Sequence, residues 1–471
     1  MQYGHLCGMR VVYLSRELIA GRVAEPSFGR IEMSSQIPEI ETKPITPLAA
    51  AVEAPTKVRV WLAALLSFTL LVAYLDRVNV SVLIASPRFL EDMGLKNNPV
   101  GQGLLMSFFL VAYGLGNVLL GPVGDRLGPR KAMTIALLGW TIPCCIGAVA
   151  RSVSVLYASR FMLGAGEAMH YPMQSSYVKN WFPLQERAKA NSSWIFGQMI
   201  GPGIAMPLFA AIVGAYGWRA TFWLCAILGV VVTPLIWYLT TDRPEQHRGV
   251  NKAELEHILK GQVLDKTTRE KGIQASSPLK NYITLIKNPD FVCCTLSYWA
   301  SVSMWWGMMS WLPQYLKVAR GFSWAKMGFF ASLPFFVGLL GLISAGIIAD
   351  RLKKAGLMNC IGLAGCATFI GLGALVHNNN LGACLIAFAF FFKGASIPMA
   401  WTLLQSFTPA NMIGQAAGLQ NGSSNLIASL SPIVVGFLIA ATGTYTAGLM
   451  FLVAFGWFGA VVGFYLVLRK Y

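Results

Sequence analysis

The chain alternates between long apolar runs and short polar joints. Runs of about 20 residues, enough for a helix to cross a ~30 Å hydrocarbon core, fall at roughly 60–84, 103–122, 132–150, 154–178, 191–213 and 219–240. Six more follow at roughly 290–313, 326–349, 357–376, 381–402, 414–440 and 446–468. This pattern predicts an all-α polytopic membrane protein with 12 transmembrane helices. Strands of a membrane β-barrel would read instead as short segments of alternating polarity.

One stretch breaks the series. Residues 241–288 are rich in Lys, Arg, Glu and Asp and divide the spans six and six. The expected organisation is therefore a disordered cytosolic tail (1–56), a six-helix bundle (57–240), a cytosolic inter-domain loop (241–288) and a second six-helix bundle (289–471). The tail lacks the compact apolar region and small-residue cleavage site of a secretory signal. Met33, ahead of a polar, Pro-containing stretch, is an alternative start to Met1.

The halves repeat. "GPVGDRLGPRK" follows the second span and "GIIADRLKKAG" the eighth, each with a Gly four residues before Asp-Arg-Leu. Asp125 and Asp350 are 225 residues apart, as are Pro207 in the fifth span and Pro432 in the eleventh. Duplication of a six-helix unit implies a substrate site between the halves, near the midplane, and alternating access. Gly121, Asp125, Arg126, Asp350 and Arg351 are then candidate gating residues, able to pair across one face in one state and part in the other.

Composition sharpens this picture. The 471 residues are 55% hydrophobic and 12% charged, about half the charged fraction of a soluble protein. The net charge of +17 resides mostly in short joints, where it faces anionic headgroups rather than nucleic acid. With both termini cytosolic, the inner joints carry 13 basic residues and the outer ones 7, central loop aside, which satisfies the positive-inside rule. The nine cysteines and five histidines show neither a disulfide framework nor a zinc spacing. No metal, cofactor or enzymatic constellation is expected, and "GAGEA" within a membrane helix reads as close packing.

The chemistry lies in charges inside the apolar runs. An ionisable group at span centre costs about 2.5–3.5 kcal/mol even on the gentler insertion scales and generally faces a cavity. Asp76 and Arg77 in the first span, Arg160 and Glu167 in the fourth, and Lys393 in the tenth occupy such positions. Arg160 and Glu167 are seven residues apart, so they share a helix face at depths about 10 Å apart. Three cations against two acids leave a cavity suited to an anion. A proton on one acid frees an Arg to grip a substrate carboxylate. Tyr74, Tyr113, Gln198, Asn421 and Asn425 supply hydrogen-bonding partners, Trp306, Trp311 and Trp401 supply walls, and His170 stands near Glu167.

The Gly-x-x-x-Asp-Arg loops resemble the major facilitator superfamily. "YLDR" (Tyr74–Arg77) with "RFMLGAGEA" (Arg160–Ala168) resembles its anion:cation symporter family, which includes bacterial galactonate and hexuronate (sugar-acid) transporters. The resemblance covers about residues 57–470. It implies proton-coupled uptake of an organic anion by a monomer in the plasma membrane, the inner membrane of a bacterium. Arg77 and Arg160 would engage the carboxylate, Asp76 and Glu167 would carry protons, and Tyr113, Gln198 and Asn425 would contact substrate. "AMHYP" (Ala168–Pro172) departs from the galactonate-type pattern, with Met169 and His170 where smaller residues are expected. Two other readings stand beside this one. "GQMIGPG" (Gly197–Gly203) partly matches the antiporter signature of drug and metabolite exporters, and a transporter-like ligand sensor is the second.

Overall fold

A computed structural model describes residues 54–183, 186–260, 278–352, 354–409 and 412–470. Among these residues every regular element is helical. The first three spans are Val58–Leu83, Pro99–Leu127 and Pro129–Val149. The fourth comes in two pieces, Val153–Glu167 and His170–Trp181, and the fifth and sixth are Arg187–Tyr216 and Trp218–Leu239. The second half runs Pro289–Gln314, Trp324–Leu352, Ala355–Leu375 and Asn379–Phe407; its eleventh span is Ile413–Ala428 plus Leu430–Thr442, and its twelfth is Tyr445–Leu468.

Among the described residues, ten helices are long and apolar enough to cross a membrane by length and composition. The two spans that fall short are the fourth and the seventh. The fourth carries Arg160, Glu167 and His170, and the seventh carries buried Ser297, Ser301, Ser303, Ser310 and Gln314. Polar interiors lowered their hydropathy without changing their place in the bundle.

Both broken spans have the same cause. Proline cannot donate to the carbonyl four residues back, and its ring crowds that carbonyl. Pro172 disables the bond to Ala168, and the fourth span breaks at Ala168–Met169; Pro432 disables the bond to Ala428, and the eleventh breaks at Ser429.

The two halves meet through three pairs of helices: first against seventh, second against eleventh, and fifth against eighth. Advancing every number by six exchanges the last two pairs and returns the first to itself, as a pseudo-two-fold requires. The tightest points obey the same rule. A Cβ on Gly103 would lie 2.3 Å from the Pro432 carbonyl oxygen, and one on Gly328 would lie 2.8 Å from the Pro207 Cα. Gly103 and Gly328 are 225 residues apart, like the prolines they touch. All four lie toward the face opposite the one where residue 58 enters and residue 468 leaves. Gln314 Nε2 donates to Gln102 Oε1 (2.9 Å) beside them. The halves are therefore in backbone contact near that face.

The central stretch is more ordered than a loop reading anticipates. Residues 252–260 and Pro278–Lys287 are helical. Glu254 accepts from the Val58 and Arg59 amides and from Thr56 Oγ1, so it caps the first span from outside the bundle. Arg130, in the basic joint after the second span, donates to the Trp237 carbonyl at the end of the sixth span, while Asp242 accepts from the Arg130 amide. Of the candidate gating residues, Arg126 is exposed at the end of the second span. Asp125, Asp350, Arg351 and Gly121 lie in helical backbone, but their surroundings fall outside the described residues, as does the tail before residue 54.

Candidate functional site

Between the halves lies a small cavity of about 90 Å³, lined from both sides. The first half lines it with Tyr74, Arg77, Tyr113, Tyr171 and Gln198. The second half contributes Tyr298, Val302, Trp305, Trp306, Lys393, Ile397, Trp401, Asn421 and Asn425. Tyr171, Gln198, Trp401 and Asn421, toward the terminal face, are half-buried, whereas Tyr74, Arg77 and Trp306 are buried. The cavity thus opens toward the terminal face and is shut at the Gly–Pro contacts on the other.

Arg77 is the centre of the first wall. Its Nε donates to Glu167 Oε2 at 2.6 Å, with both side chains at most 3% exposed. The guanidinium lies 4.6 Å from the Tyr74 ring centroid and 4.7 Å from that of Tyr113, so two aromatic faces sandwich it. Glu167 Oε1 has no hydrogen-bond partner. Glycines make this approach possible. A Cβ on Gly164 would be 2.2 Å from the Phe109 carbonyl oxygen of the second span, and one on Gly166 would be 2.5 Å from the Gly139 backbone of the third. "GAGEA" therefore packs the fourth span against two neighbours and sets Glu167 beside Arg77.

Asp76 and Arg160 are placed differently. Neither lines the cavity. Arg160 donates to the Leu105 and Asp76 carbonyl oxygens (3.3 and 3.2 Å), and its guanidinium stacks 5.1 Å from the Phe109 ring centroid. Phe109 also faces Arg77 at 5.5 Å, so one ring contacts both arginines. Asp76 is 1% exposed; its Oδ1 accepts from Cys144 Sγ (3.6 Å) and its Oδ2 has no partner. The seven-residue spacing put Arg160 on the face of Glu167, but two turns separate them in depth. That distance carries Arg160 behind the aromatic wall. His170 is also behind it, with Nε2 within 3.1 Å of Thr69 Oγ1 and 3.0 Å of Gln174 Nε2.

The second wall is aromatic and amide-rich. Trp306 Nε1 donates to Asn425 Oδ1 (3.3 Å), and Asn425 Nδ2 donates to the Asn421 carbonyl (2.9 Å). Tyr298 packs edge-on against Trp401 with centroids 5.6 Å apart. Lys393 donates to Ser301 Oγ. Trp311 belongs elsewhere: its indole donates to the Pro432 carbonyl at the contact between halves (3.0 Å). Tyr171, Tyr298, Val302, Trp305 and Ile397 are wall residues that the sequence did not single out. Aromatic and branched residues in an apolar span carry no contrast that could mark them. In the exporter-like stretch, a Cβ on Gly197 would lie 2.3 Å from the Ser67 carbonyl oxygen and one on Gly201 2.8 Å from the Tyr74 Cβ. These glycines pack the fifth span on the first. Among the described residues, no cluster of His, Cys, Asp or Glu could hold a metal ion.

Residues 66–432 match the profile of the Major Facilitator Superfamily. The chain belongs to that superfamily. Among curated members, it is 30% identical over 385 residues to a probable sulfoacetate transporter of Cupriavidus necator, covering 79% of this chain and 86% of that one. It is 29% identical over 427 residues to a probable galactarate/D-glucarate transporter of Escherichia coli K12 (86% and 93% covered). Identity to a D-galactonate transporter of Escherichia coli O6:H1 is 30% over 420 residues (86% and 95% covered). Solved superfamily structures share the fold. A bacterial homologue of the lysosomal transporter Spinster superposes with a TM-score of 0.72 at 15% identity (88% and 98% covered). A D-xylose-proton symporter superposes with 0.66 at 15% identity (86% and 96% covered). The sequence resemblance to sugar-acid transporters of this superfamily is borne out. The protein is a multi-pass membrane transporter and not an enzyme.

Proposed function

We propose that this transporter takes up a small organic anion of the sugar-acid class together with a proton, by alternating access, with both termini in the cytosol of a bacterial cell. One observation carries the reading: the buried Arg77–Glu167 ion pair, whose arginine lines a cavity rich in tyrosine, tryptophan and amides. The sugar-acid and sulfoacetate names of its relatives support an anionic substrate, and the charge excess at the terminal face supports the orientation.

The ion pair couples proton to anion through charge balance. While Glu167 is ionised, it neutralises Arg77, and an incoming carboxylate would have to displace it. A proton on Glu167 removes the competing charge and leaves Arg77 exposed to the cavity. The substrate carboxylate then accepts from the guanidinium fork, whose planar donors suit two-point contact. Proton and anion together restore neutrality at the Arg77–Glu167 pair, so the pair can be enclosed without leaving either member uncompensated in a low-dielectric interior. Asp76 and its unpartnered oxygen form a second proton store behind the wall, and Arg160 fixes the backbone of the first span at Asp76. Tyr74, Tyr113, Gln198, Asn421 and Asn425 hold the hydroxyl groups, and Trp401 walls the open side. Closure on the terminal face and parting of the Gly–Pro contacts on the other complete the cycle, with the Asp-Arg loops as gates.

A panel of radiolabelled organic acids taken up into proteoliposomes, with and without an inward proton gradient, tests this. Gradient-driven accumulation of one acid supports symport. Failure of every anion to accumulate, with efflux of cationic or neutral compounds, would favour an exporter.

A further inference from the structure

Lys393 is the one charged group in the cavity wall that this mechanism does not use. Its side chain is buried, 3% exposed, and it lines the main cavity from the tenth span. The only hydrogen-bond partner found among the described residues is the Ser301 hydroxyl of the seventh span. No carboxylate among the described residues pairs with it. Its other flank is apolar: Met304, Trp305, Met308, Cys366, Ile370 and Phe390 surround it around a crevice with no room for a water molecule. A methionine or leucine would pack against that set without the desolvation cost of an ammonium. Lys393 therefore does not serve packing.

The charges can be summed over the cavity wall. With Arg77 neutralised by Glu167, the empty site retains one positive charge, on the second half, at Lys393. With Glu167 protonated and a monoanion on Arg77, Lys393 is still uncompensated. With Glu167 protonated and a dianion bridging the halves, the sum is zero.

We infer that Lys393 is a second anion-binding group, and that the transported substrate carries two anionic groups, such as two carboxylates or a carboxylate and a sulfonate. One end engages Arg77 on the first half and the other engages Lys393 on the second. Ser301 holds the ammonium in place until the substrate arrives. The inference rests on the sugar-acid reading above and narrows it from organic anions to dianions. A ligand that tethers the two halves electrostatically also favours the closed cavity over the open one.

The test compares matched pairs on the purified full chain: a six-carbon aldarate against the corresponding aldonate, and sulfoacetate against acetate. Binding is read by thermal shift and by competition in counterflow. Wild-type protein is expected to prefer the dianion of a pair. Lys393→Gln should weaken that dianion by about 30-fold and leave the monoanion within about threefold, so the preference collapses; Lys393→Arg should keep it. Equal loss of both ligands in Lys393→Gln, at an unchanged ratio, would make the lysine structural and overturn the inference. Should Lys393→Gln not fold, the wild-type ratios decide alone. Binding of monoanions as tightly as dianions would overturn the dianion assignment and leave the sugar-acid reading intact. Failure of all four acids to bind would overturn both.

Discussion

The two walls of the cavity descend from one duplicated unit, yet they differ in kind. The first half holds an ion pair sandwiched between tyrosines, with a further acid and arginine behind it. The second half presents tryptophans, two asparagines and a single lysine. What the halves still share is packing: Gly103 against Pro432 and Gly328 against Pro207, both pairs at the same 225-residue offset. Backbone contacts that set helix crossings tolerate no side chain, so duplication preserved them in both copies. Side chains facing the cavity were under no such constraint and diverged into a wall with a buried ion pair and a wall of tryptophans, amides and a lysine.

Breaking the ion pair should have the largest effect. Arg77→Gln leaves Glu167 buried without its cation, a loss of about 3–5 kcal/mol of stability by comparison with other halved buried pairs, and transport should vanish. Arg77→Met/Glu167→Met removes both charges and should recover most of the melting temperature while transport stays absent. Thermal melts and uptake on the three proteins separate stability from function.

The shared packing is tested next. Gly103→Leu or Gly328→Leu places side-chain atoms where the facing backbone already lies, so the face opposite the termini cannot shut. Uptake should fall more than about tenfold while the fold survives in a splayed form, because overpacking typically costs about 1–3 kcal/mol. Cysteines introduced beside these positions should become reactive from that face. Equal effects from the two variants would confirm that the halves close as symmetric copies; a difference would show that one contact dominates.

On the second wall, Asn425→Ala removes one amide that holds Trp306 and Asn421 in register. A single hydrogen bond contributes about 1 ± 0.5 kcal/mol, so substrate affinity should drop about fivefold with proton dependence unchanged.

The smallest effect lies outside the membrane. Glu186 accepts from Arg59 Nε (2.9 Å) and meets His257 Nε2 (2.8 Å) at the terminal face. The hydrogen bond from Arg59 holds its carboxyl below the usual range, with the His257 contact adding to this. A depressed carboxyl stabilises the fold above its ordinary value of about 4.3 and loses that contribution as pH falls through the depressed one. Glu186→Gln should therefore lower stability slightly at pH 7, by less than about 1 kcal/mol for a part-exposed pair, read as a small drop in melting temperature. The gap to wild type should close only in strong acid.

Much of this was legible in the sequence because membranes exaggerate contrast. An Asp, Arg, Glu or Lys inside an apolar run cannot be overlooked, and polar Tyr74, Tyr113, Gln198, Asn421 and Asn425 stand out nearly as well. Depth was harder to read. Helical spacing gives a face, but only packing shows that Arg160 lies outside the cavity lining, against Phe109. Wall residues such as Tyr298 and Trp305 look like any apolar span residue. The helix at 252–260 has no apolar run to announce it and is tied to the first span through Asn251 and Glu254, a tertiary tie that local sequence does not encode. Pro172 and Pro432 were visible, yet whether a proline breaks a span or merely bends it depends on neighbours; Pro143 and Pro207 lie inside continuous helices.

The most direct test of the coupling claim is Glu167→Gln in proteoliposomes, assayed for gradient-driven accumulation and for counterflow with no gradient. The ion-pair account predicts that accumulation is lost while counterflow persists and ceases to depend on pH, because the neutral amide mimics the protonated acid and leaves Arg77 free for substrate. Continued accumulation driven by the proton gradient in Glu167→Gln would contradict it.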